Sequence, residues 1–464
     1  MEREVTLTEV LEARENRVWH QNALLEKYGV PVISFTLNIA GPVKDSPLIR
    51  RSFRAGQGQL EASLQAAKLP VLDRQELLAP TGCEARYAVK GTAREVKALC
   101  VSIEDSTGLG RLFDMDVLAP DGRKLDREEV GGGSRNCIVC GAEGRGCASR
   151  RGHSVETLQK ATLRIMEEHF AAADRETVTA LATRALLEEV CITPKPGLVD
   201  RANNGSHRDM DLFTFLASAA ALAPYWSRCV QIGQDTAKGT PSDTFQALKQ
   251  AGQSAERTMF AATGGVNTHK GAIFTLGTIC GAVGRLWRAD NPCRDPKAIL
   301  AECSAMATAA VEADFAGLSD ETAHTTGQKL YLRQGLAGVR GEAARGFPGV
   351  SEIALPAFQR ALDSGRSRND AGAVALLHLI AKVTDTNMIA RGGQSAAKRA
   401  AEDCARLLER SPLPEMKDIA ALDQAFIQQN LSPGGCADLL SASLFLWGWE
   451  NEEILHKPCE KTSP

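Results

Sequence analysis

Aromatic residues are scarce in this sequence, at 5% of 464 residues. With 44% apolar residues, such a chain suits helices packed through Ala, Gly and Leu better than a β-sandwich. Long apolar runs are missing as well. The longest, 212–226 and 271–287, stop short of the roughly 20 residues a membrane helix needs, so both read as buried core helices. Gly277 and Gly281, four positions apart, would let a neighbouring helix come close. Neither sign of charge is in excess. A formal net charge of -3 exerts no global pull on nucleic acid or an anionic membrane, and neither is expected as a partner. An anionic substrate must therefore be held by local basic groups. The stretch 1–17 is charged and has no apolar centre, unlike a secretory signal, so a cytoplasmic protein is expected. The thirteen cysteines are odd in number and scattered, which favours free thiols over a disulfide framework. No repeat at a solenoid period is visible.

What is present divides in two. A chain of 464 residues exceeds what one hydrophobic core serves, and its pattern changes near residue 170. The first part mixes α and β. Helical spacing covers 6–28 and 60–67, and strand-like runs cover 32–39, 96–103 and 111–119, with 104–110 as a turn between the last two. Residues 128–152 are rich in glycine and cysteine. From 155 on the pattern is helical, over 155–172, 177–190, 243–260, 298–315 and 371–383, and the first of these suits either side of the boundary. The expected fold is multidomain, with an α+β domain over 1–172 followed by an all-α helical domain over 173–464.

In the first part, Asp114 and Asp116 stand at i and i+2 of a strand, which points both carboxylates to one face while Phe113, Met115 and Val117 face a core. Two carboxylates on a rigid strand make a hard-oxygen site suited to Mg2+ bridging a pyrophosphate, and Glu104 or Asp105 would add a third. A solvated strand edge is the plainer reading. The strand over 32–39 leads into Gly41-Pro42 and presents Lys44, followed by Arg50, Arg51 and Arg54, a basic loop able to meet phosphates. Cys137, Cys140, Cys147 and His153 have the ligand types of a tetrahedral zinc site, although the C-x5-H spacing is irregular for a knuckle. Arg145, Arg150 and Arg151 around them fit phosphate binding equally well, with His153 beside it.

These segments, 35–44, 112–118 and Arg135-Asn136-Cys137-Ile138-Val139-Cys140 with Cys147, Arg150, Arg151 and His153, together resemble the apo-citrate lyase phosphoribosyl-dephospho-CoA transferase family over roughly 5–160. Ala40 departs from the proline more usual there. The resemblance implies a nucleotidyltransferase-like domain. Its activity would be transfer of phosphoribosyl-dephospho-CoA to a serine of the citrate lyase acyl carrier subunit, with release of pyrophosphate.

The second part concentrates rigid backbone and charge at Pro194-Lys195-Pro196-Gly197, Asp200, Arg201, His207, Asp209 and Asp211. Asp209 and Asp211 stand at the start of a helix over 210–221, where acids stabilise any helix and Ser206 could cap it; with His207, Asp200 and Lys195 nearby they also suit a metal–triphosphate site or hydroxyl activation. Gly264-Gly265 is followed by Asn267, Thr268, His269 and Lys270 at the start of a helix over 272–286, whose N-terminus would receive phosphates, though no Walker motif is present. Arg340, Glu342 and their glycines read as a tight loop. Asp385 and Asn387 end the helix over 371–383, with Arg391 and Gly392-Gly393 behind them; a buried Asp385 needs a metal, a substrate ribose or Arg391 as partner.

These motifs, in this order, resemble the triphosphoribosyl-dephospho-CoA synthase family over roughly 175–455. That resemblance implies condensation of ATP with 3′-dephospho-CoA and expulsion of adenine, with His207, Asp209 and Asp385 as candidate catalytic groups and Mg2+ at Asp209 and Asp211. Lys195, Arg201, Asn267, Thr268, His269, Lys270, Arg340, Glu342, Asn387 and Arg391 would bind substrate. The chain is thus expected to be a bifunctional transferase acting on small nucleotides. Two alternatives stay open: the same activities serving malonate decarboxylase, or a zinc-ribbon adaptor on a helical scaffold.

Overall fold

The computed structural model describes residues 3–142, 147, 150, 152–323 and 326–451, apart from the side chains of 326 and 327. Arg145 and Arg151 lie outside the described residues. The chain divides into two compact units, Met1–Ala173 with Ala289–Asn291, and Asp174–Arg288 with Pro292–Pro464.

The first unit is built on a small antiparallel sheet. Its elements are α1 (Leu7–Tyr28), β1 (Val32–Leu37), α2 (Pro47–Ala66), β2 (Val71–Ala79), β3 (Gly82–Val89), α3 (Ala93–Ser106) and β4 (Phe113–Leu118). The strand order is β2-β3-β1-β4. One face carries Phe35, Tyr87, Phe113, Met115 and Val117, all buried, and α2 lies so close that a Cβ on Gly56 would meet the Phe35 and Phe113 rings. On the other face, Leu24 and Leu25 of α1 cover Val32 and Leu118.

The strand expected over 96–103 is instead the helix α3. Thr92 accepts from Glu95 N at 3.2 Å while the Glu95 carboxylate accepts from Thr92 N at 3.0 Å, a reciprocal cap that starts the helix. Val96, Cys100 and Ile103 are then buried at helical spacing. Residues 104–110 therefore join no hairpin; the chain passes through a 3-10 turn, Leu109–Leu112, into β4. Strands β2 and β3 were not expected. β2 is a largely exposed edge, and the inward side of β3 carries Glu84 and Arg86, so neither shows a clean apolar alternation.

Helix α4 (Val155–Cys191) runs unbroken through the division at residue 173, covering both expected segments 155–172 and 177–190. The second unit is helical throughout its described residues. It contains α5 (Leu212–Thr236), α6 (Pro241–Ala262), α7 (Lys270–Arg285), α8 (Pro296–Ala316), α9 (Thr326–Gln334), α10 (Gly338–Ala344), α11 (Leu355–Asp363) and α12 (Arg368–Lys382). α13 (Thr386–Gly392), α14 (Gln394–Arg410), α15 (Met416–Gln428) and α16 (Gly434–Glu450) follow. One core cluster unites them, with Trp226, Leu276, Phe358, Leu376, Phe445 and Trp449 among its fully buried members.

α5 and α7 pack backbone to backbone, since a Cβ on Gly233 would collide with the Gly281 carbonyl and one on Gly284 with that of Val230. The loop expected at 340–348 is partly helical: α10 contains Gly341, and the positive φ values belong to Gly338, Gly346 and Phe347 at its borders. Among the described residues no single helix is long and apolar enough to cross a membrane.

Candidate functional sites

The antiparallel register brings polar side chains together on the α1 face of the first unit's sheet. Ser34 lies between Arg86 and Asp116, and Thr36 between Glu84 and Asp114. Glu84 accepts from Arg86 at 2.8 Å and from Arg17 of α1 at 2.6 Å. The Nε atoms of Arg17 and Arg86 are buried without a hydrogen-bond partner among the described residues. Asp116 pairs with Lys124 at 2.6 Å. Asp114 shows no such partner among the described residues. Desolvation by the surrounding chain, then the Asp116 carboxylate, pushes its pKa up.

Glu104, expected across a turn, reaches β4 from the last turn of α3. Its carboxylate accepts from Met115 N at 2.9 Å and pairs with Arg135 at 2.5 Å, and Arg135 also donates to the Phe113 carbonyl at 2.8 Å. Asp105 is drawn off to Arg127 at 2.7 Å. In the basic loop the Lys44 ammonium donates to the Ile39 carbonyl, with burial and then the Arg14 charge lowering its pKa. Arg50 is held by Asp45 through two bonds of 2.7 and 2.6 Å. Arg150 is exposed. Cys137, Cys140, Cys147 and His153 offer ligand atoms that all lie within 4.8 Å of one another.

In the second unit, the segment after α4 folds on its own carboxylates. Lys195 is buried and pairs with the equally buried Glu189 of α4 at 2.5 Å. Asp200 accepts from the amides of Lys195, Ala202 and Asn203 at 3.1, 2.6 and 3.0 Å. Asp423 of α15 holds the Gly197 amide and the Asn203 side chain, each at 2.9 Å.

His269 is buried beside this pair. Its Nδ1 lies 2.7 Å from the Ser218 hydroxyl, which in turn accepts from Thr268 at 2.8 Å. The buried Ser218 proton therefore goes to Nδ1, so the ring proton sits on Nε2, which is buried with no partner among the described residues. Burial, then the Lys195 charge, pushes the His269 pKa down to about 3, and the ring stays neutral.

Asp385 caps α13, accepting from Asn387 N at 2.8 Å and Met388 N at 3.1 Å, and also takes Cys436 N at 2.8 Å. Asp438 of α16 accepts from the Ala272 amide at the start of α7, and a Cβ on Gly271 would collide with its carboxylate. Burial, then Glu189 and Asp385, pushes the Asp438 pKa well up. Three carboxylates, an ammonium and a neutral imidazole thus converge around the first turn of α7.

Other expected residues have different partners. Asp211 is the N-cap of α5, accepting from Thr214 N at 2.8 Å, and Ser206 donates to the Leu431 carbonyl at 2.6 Å. Asp209 is mostly exposed, 3.9 Å from His207, whose Nε2 meets Ser432 at 2.9 Å. Burial and then the Arg391 charge lower the His207 pKa. Arg391 bonds Asn430 at 2.8 Å and the Ser206 carbonyl, not Asp385. Arg201 bonds Asn369 at 2.8 Å, Lys270 pairs with Glu256 at 2.8 Å, and Arg340 pairs with Asp314 at 3.3 Å. Glu342 is buried on the Gly349 amide at 2.9 Å. Asn267 accepts from Lys270 N at 3.4 Å, and Asn387 packs against Gly434.

Two family models cover the chain. The family described as ATP:dephospho-CoA triphosphoribosyl transferase matches residues 175–456, and the apo-citrate lyase phosphoribosyl-dephospho-CoA transferase family matches 5–169. The Protein CitXG of Haemophilus influenzae is 33% identical over 457 residues, covering 95% of this chain and 96% of the relative. That of Leuconostoc mesenteroides is 33% identical over 459 residues, 95% of this chain and 97% of the relative. The chain belongs to the CitXG family. It is a bifunctional transferase of citrate lyase prosthetic-group biosynthesis, with the CitX part before the CitG part. A Vibrio cholerae protein described as a probable 2-(5''-triphosphoribosyl)-3'-dephosphocoenzyme-A synthase is 43% identical over 271 residues, 58% of this chain and 86% of the relative.

Sequence reasoning missed Glu189, Ser218, Asp423 and Asp438 in the CitG part, and Arg17, Glu84 and Arg86 in the CitX part. Asp438 had a readable signal: it is an acid set within an otherwise apolar helical run, where an unpaired charge is costly, whereas Glu189 stands beside Glu188 and carries none.

Proposed function

We propose that residues 173–464 join ATP to 3′-dephospho-CoA at the centre formed by Asp438, Asp385, Glu189, Lys195 and His269. Their convergence at the start of α7 is the observation that carries this reading. Asp438, with burial and two neighbouring acids raising its proton affinity, serves as the base for the attacking ribose hydroxyl. The hydroxyl oxygen forms a bond to the ribosyl carbon of ATP, the carbon–adenine bond breaks with its electron pair leaving on adenine, which takes up a proton from solvent, and the hydroxyl proton passes to Asp438. The free Nε2–H of His269 donates to a substrate acceptor, and Glu189 keeps Lys195 in place beside it. Asn267, Thr268, Lys270, Asn387, His207, Asp209 and Arg391 are proposed substrate contacts around this centre. Arg201, Arg340 and Glu342, held by Asn369, Asp314 and the Gly349 amide, are further proposed substrate contacts, and Asp211, the N-cap of α5, is proposed with Asp209 as an Mg2+ ligand.

Residues 1–172 attach the product to the acyl carrier serine. The carboxylate pair on a strand of an antiparallel sheet supports a nucleotidyltransferase-like reading. Asp114 and Asp116 suit Mg2+: both offer hard oxygens on one face, and Asp114 meets a like charge while forming no direct ion pair among the described residues. Bound there, Mg2+ would neutralise the departing pyrophosphate. The unpartnered Nε atoms of Arg17 and Arg86 offer donors to phosphate oxygens. Lys44, Arg50 and Arg150 remain proposed outer phosphate contacts. A cytoplasmic location is proposed with these substrates.

The test is mass spectrometry of the apo-acyl carrier after incubation with ATP, dephospho-CoA and Mg2+. The carrier should gain one phosphoribosyl-dephospho-CoA. With Asp438→Asn, adenine release should fall by at least about a hundredfold, while carrier modification from supplied precursor persists. An unmodified carrier of citrate lyase beside a modified carrier of malonate decarboxylase would overturn the assigned partner.

A further inference from the structure

We propose that Cys137, Cys140, Cys147 and His153 bind one structural zinc ion, and that this ion holds Arg135 in place beside Asp114. Each residue contributes one ligand atom, and the four atoms lie within 4.8 Å of one another. The Cys140 and Cys147 sulfurs are 3.4 Å apart, and His153 Nε2 is 3.3 Å from the Cys140 sulfur. A tetrahedral ion with sulfur at about 2.3 Å and nitrogen at about 2.0 Å sets its ligands roughly 3.5–3.8 Å apart, so four donors this close are nearly in place.

The backbone is shaped for a knuckle. Gly141 N donates to the Cys137 carbonyl at 3.0 Å, Cys137 N to the Ala142 carbonyl at 2.6 Å, and Gly141 has φ +73° directly after the second cysteine. Val139 N points to the Cys137 sulfur at 3.5 Å, the kind of amide donation a thiolate receives. The site is not an apolar core. Cys140 is exposed and the other three ligands are half-buried, so packing does not account for their meeting. The irregular C-x5-H spacing presents no obstacle, because His153 stands within reach in the fold.

On binding, the three thiols release their protons to solvent and the centre carries one net negative charge. Its purpose lies immediately upstream. Arg135 bridges Glu104 and the Phe113 carbonyl, and the Asn136 carbonyl accepts from Arg111, so residues 135–136 are fastened to the start of β4 one residue from Asp114. Cross-linking 137 to 153 gives that strap a fixed end. Arg135 is thus a positioning residue for the carboxylate pair. This consequence rests on the attachment role proposed for Asp114; the metal itself does not.

The experiment uses the full chain purified without chelators. Elemental analysis should give about one zinc per chain, and the Cys137→Ser/Cys140→Ser variant should retain less than about a tenth of that. Replacement by cobalt should produce thiolate-to-metal charge-transfer absorption and the visible bands of a tetrahedral site. Wild-type protein without zinc that also fails to take up cobalt, or a Cys140–Cys147 disulfide found by mass spectrometry, would overturn the site. In the variant, carrier modification should fall at least about tenfold while adenine release, read from the other unit on the same preparation, is unchanged. Loss of zinc with carrier modification intact would keep the metal and overturn its positioning role.

Discussion

Asp114 and Asp116 are two carboxylates on one strand with unequal surroundings. Asp116 has Lys124 at 2.6 Å, whereas Asp114 faces desolvation and a like charge. Asp114→Asn keeps the shape and removes the charge, so carrier modification should be abolished while ATP-dependent adenine release continues. Both are read by chromatography and mass spectrometry on one sample, and near-normal carrier modification would remove Asp114 from the centre. His269 raises a different residue-level question, because it is held neutral. Its pKa is near 3 in the fold, against about 6.5 for an unfolded histidine. The unfolded chain therefore binds a proton that the folded chain refuses, and stability falls as pH drops below about 6.5, with no further loss below the folded value. At pH 5 this group alone costs about 2 kcal/mol. His269→Gln should remove that contribution, making the stability difference between pH 7 and pH 5 smaller by about 2 kcal/mol in urea unfolding of residues 173–464. Equal acid sensitivity in the two proteins would mean that the ring is protonated in the fold.

At the scale of elements, the start of α7 concentrates the chemistry of the helical unit. Gly271 leaves room for the Asp438 carboxylate to reach the Ala272 amide. A methyl there pushes against the end of a short side chain and leaves the backbone free. Gly271→Ala should thus change stability by no more than about 1 kcal/mol, helix propensity favouring alanine, while adenine release drops by about tenfold or more. Thermal unfolding and adenine assays on the same protein separate these effects; unchanged release would mean that Asp438 does not act from this position.

The same scale shows what could be read in advance. Helices α1, α6, α8 and α12 were legible because their apolar spacing and caps agree. The strand β1 was legible from its β-branched run between Pro31 and Gly41. The sequence of α3 reads as a strand because Val96, Val101 and Ile103 are β-branched, while its capping box, in Thr92 and Glu95, is the local signal for a helix. β3 stayed hidden because the polar residues on its inward side pair with α1, a partnership of Arg17 and Glu84 separated by 67 positions. In the candidate centre, Lys195, His269 and Asp385 stood out through their motifs. Glu189 and Asp438 did not, since they meet those residues only when α4, α7 and α16 pack together.

For the whole molecule, the division at residue 173 sets the terms. Each unit has its own buried core, that of the second running from Val178 to Trp449. Residues 173–464 expressed alone should fold cooperatively and keep adenine-releasing activity within about threefold of the full chain, since every group of the proposed centre lies within them. A soluble, cooperatively unfolding fragment that forms no triphosphoribosyl product would show that the first unit contributes to that reaction.

The cysteines give the helical unit one further property. Cys229, Cys280, Cys303, Cys404 and Cys436 are all buried, and burial drives each thiol pKa up, so near neutral pH they are neither ionised nor reachable by an alkylating reagent. They become reactive only when the packing around them opens. At high reagent concentration their modification is limited by opening itself, so the time course of alkylation of the fragment is a clock for its unfolding, and the order in which the five are labelled traces which helices part first.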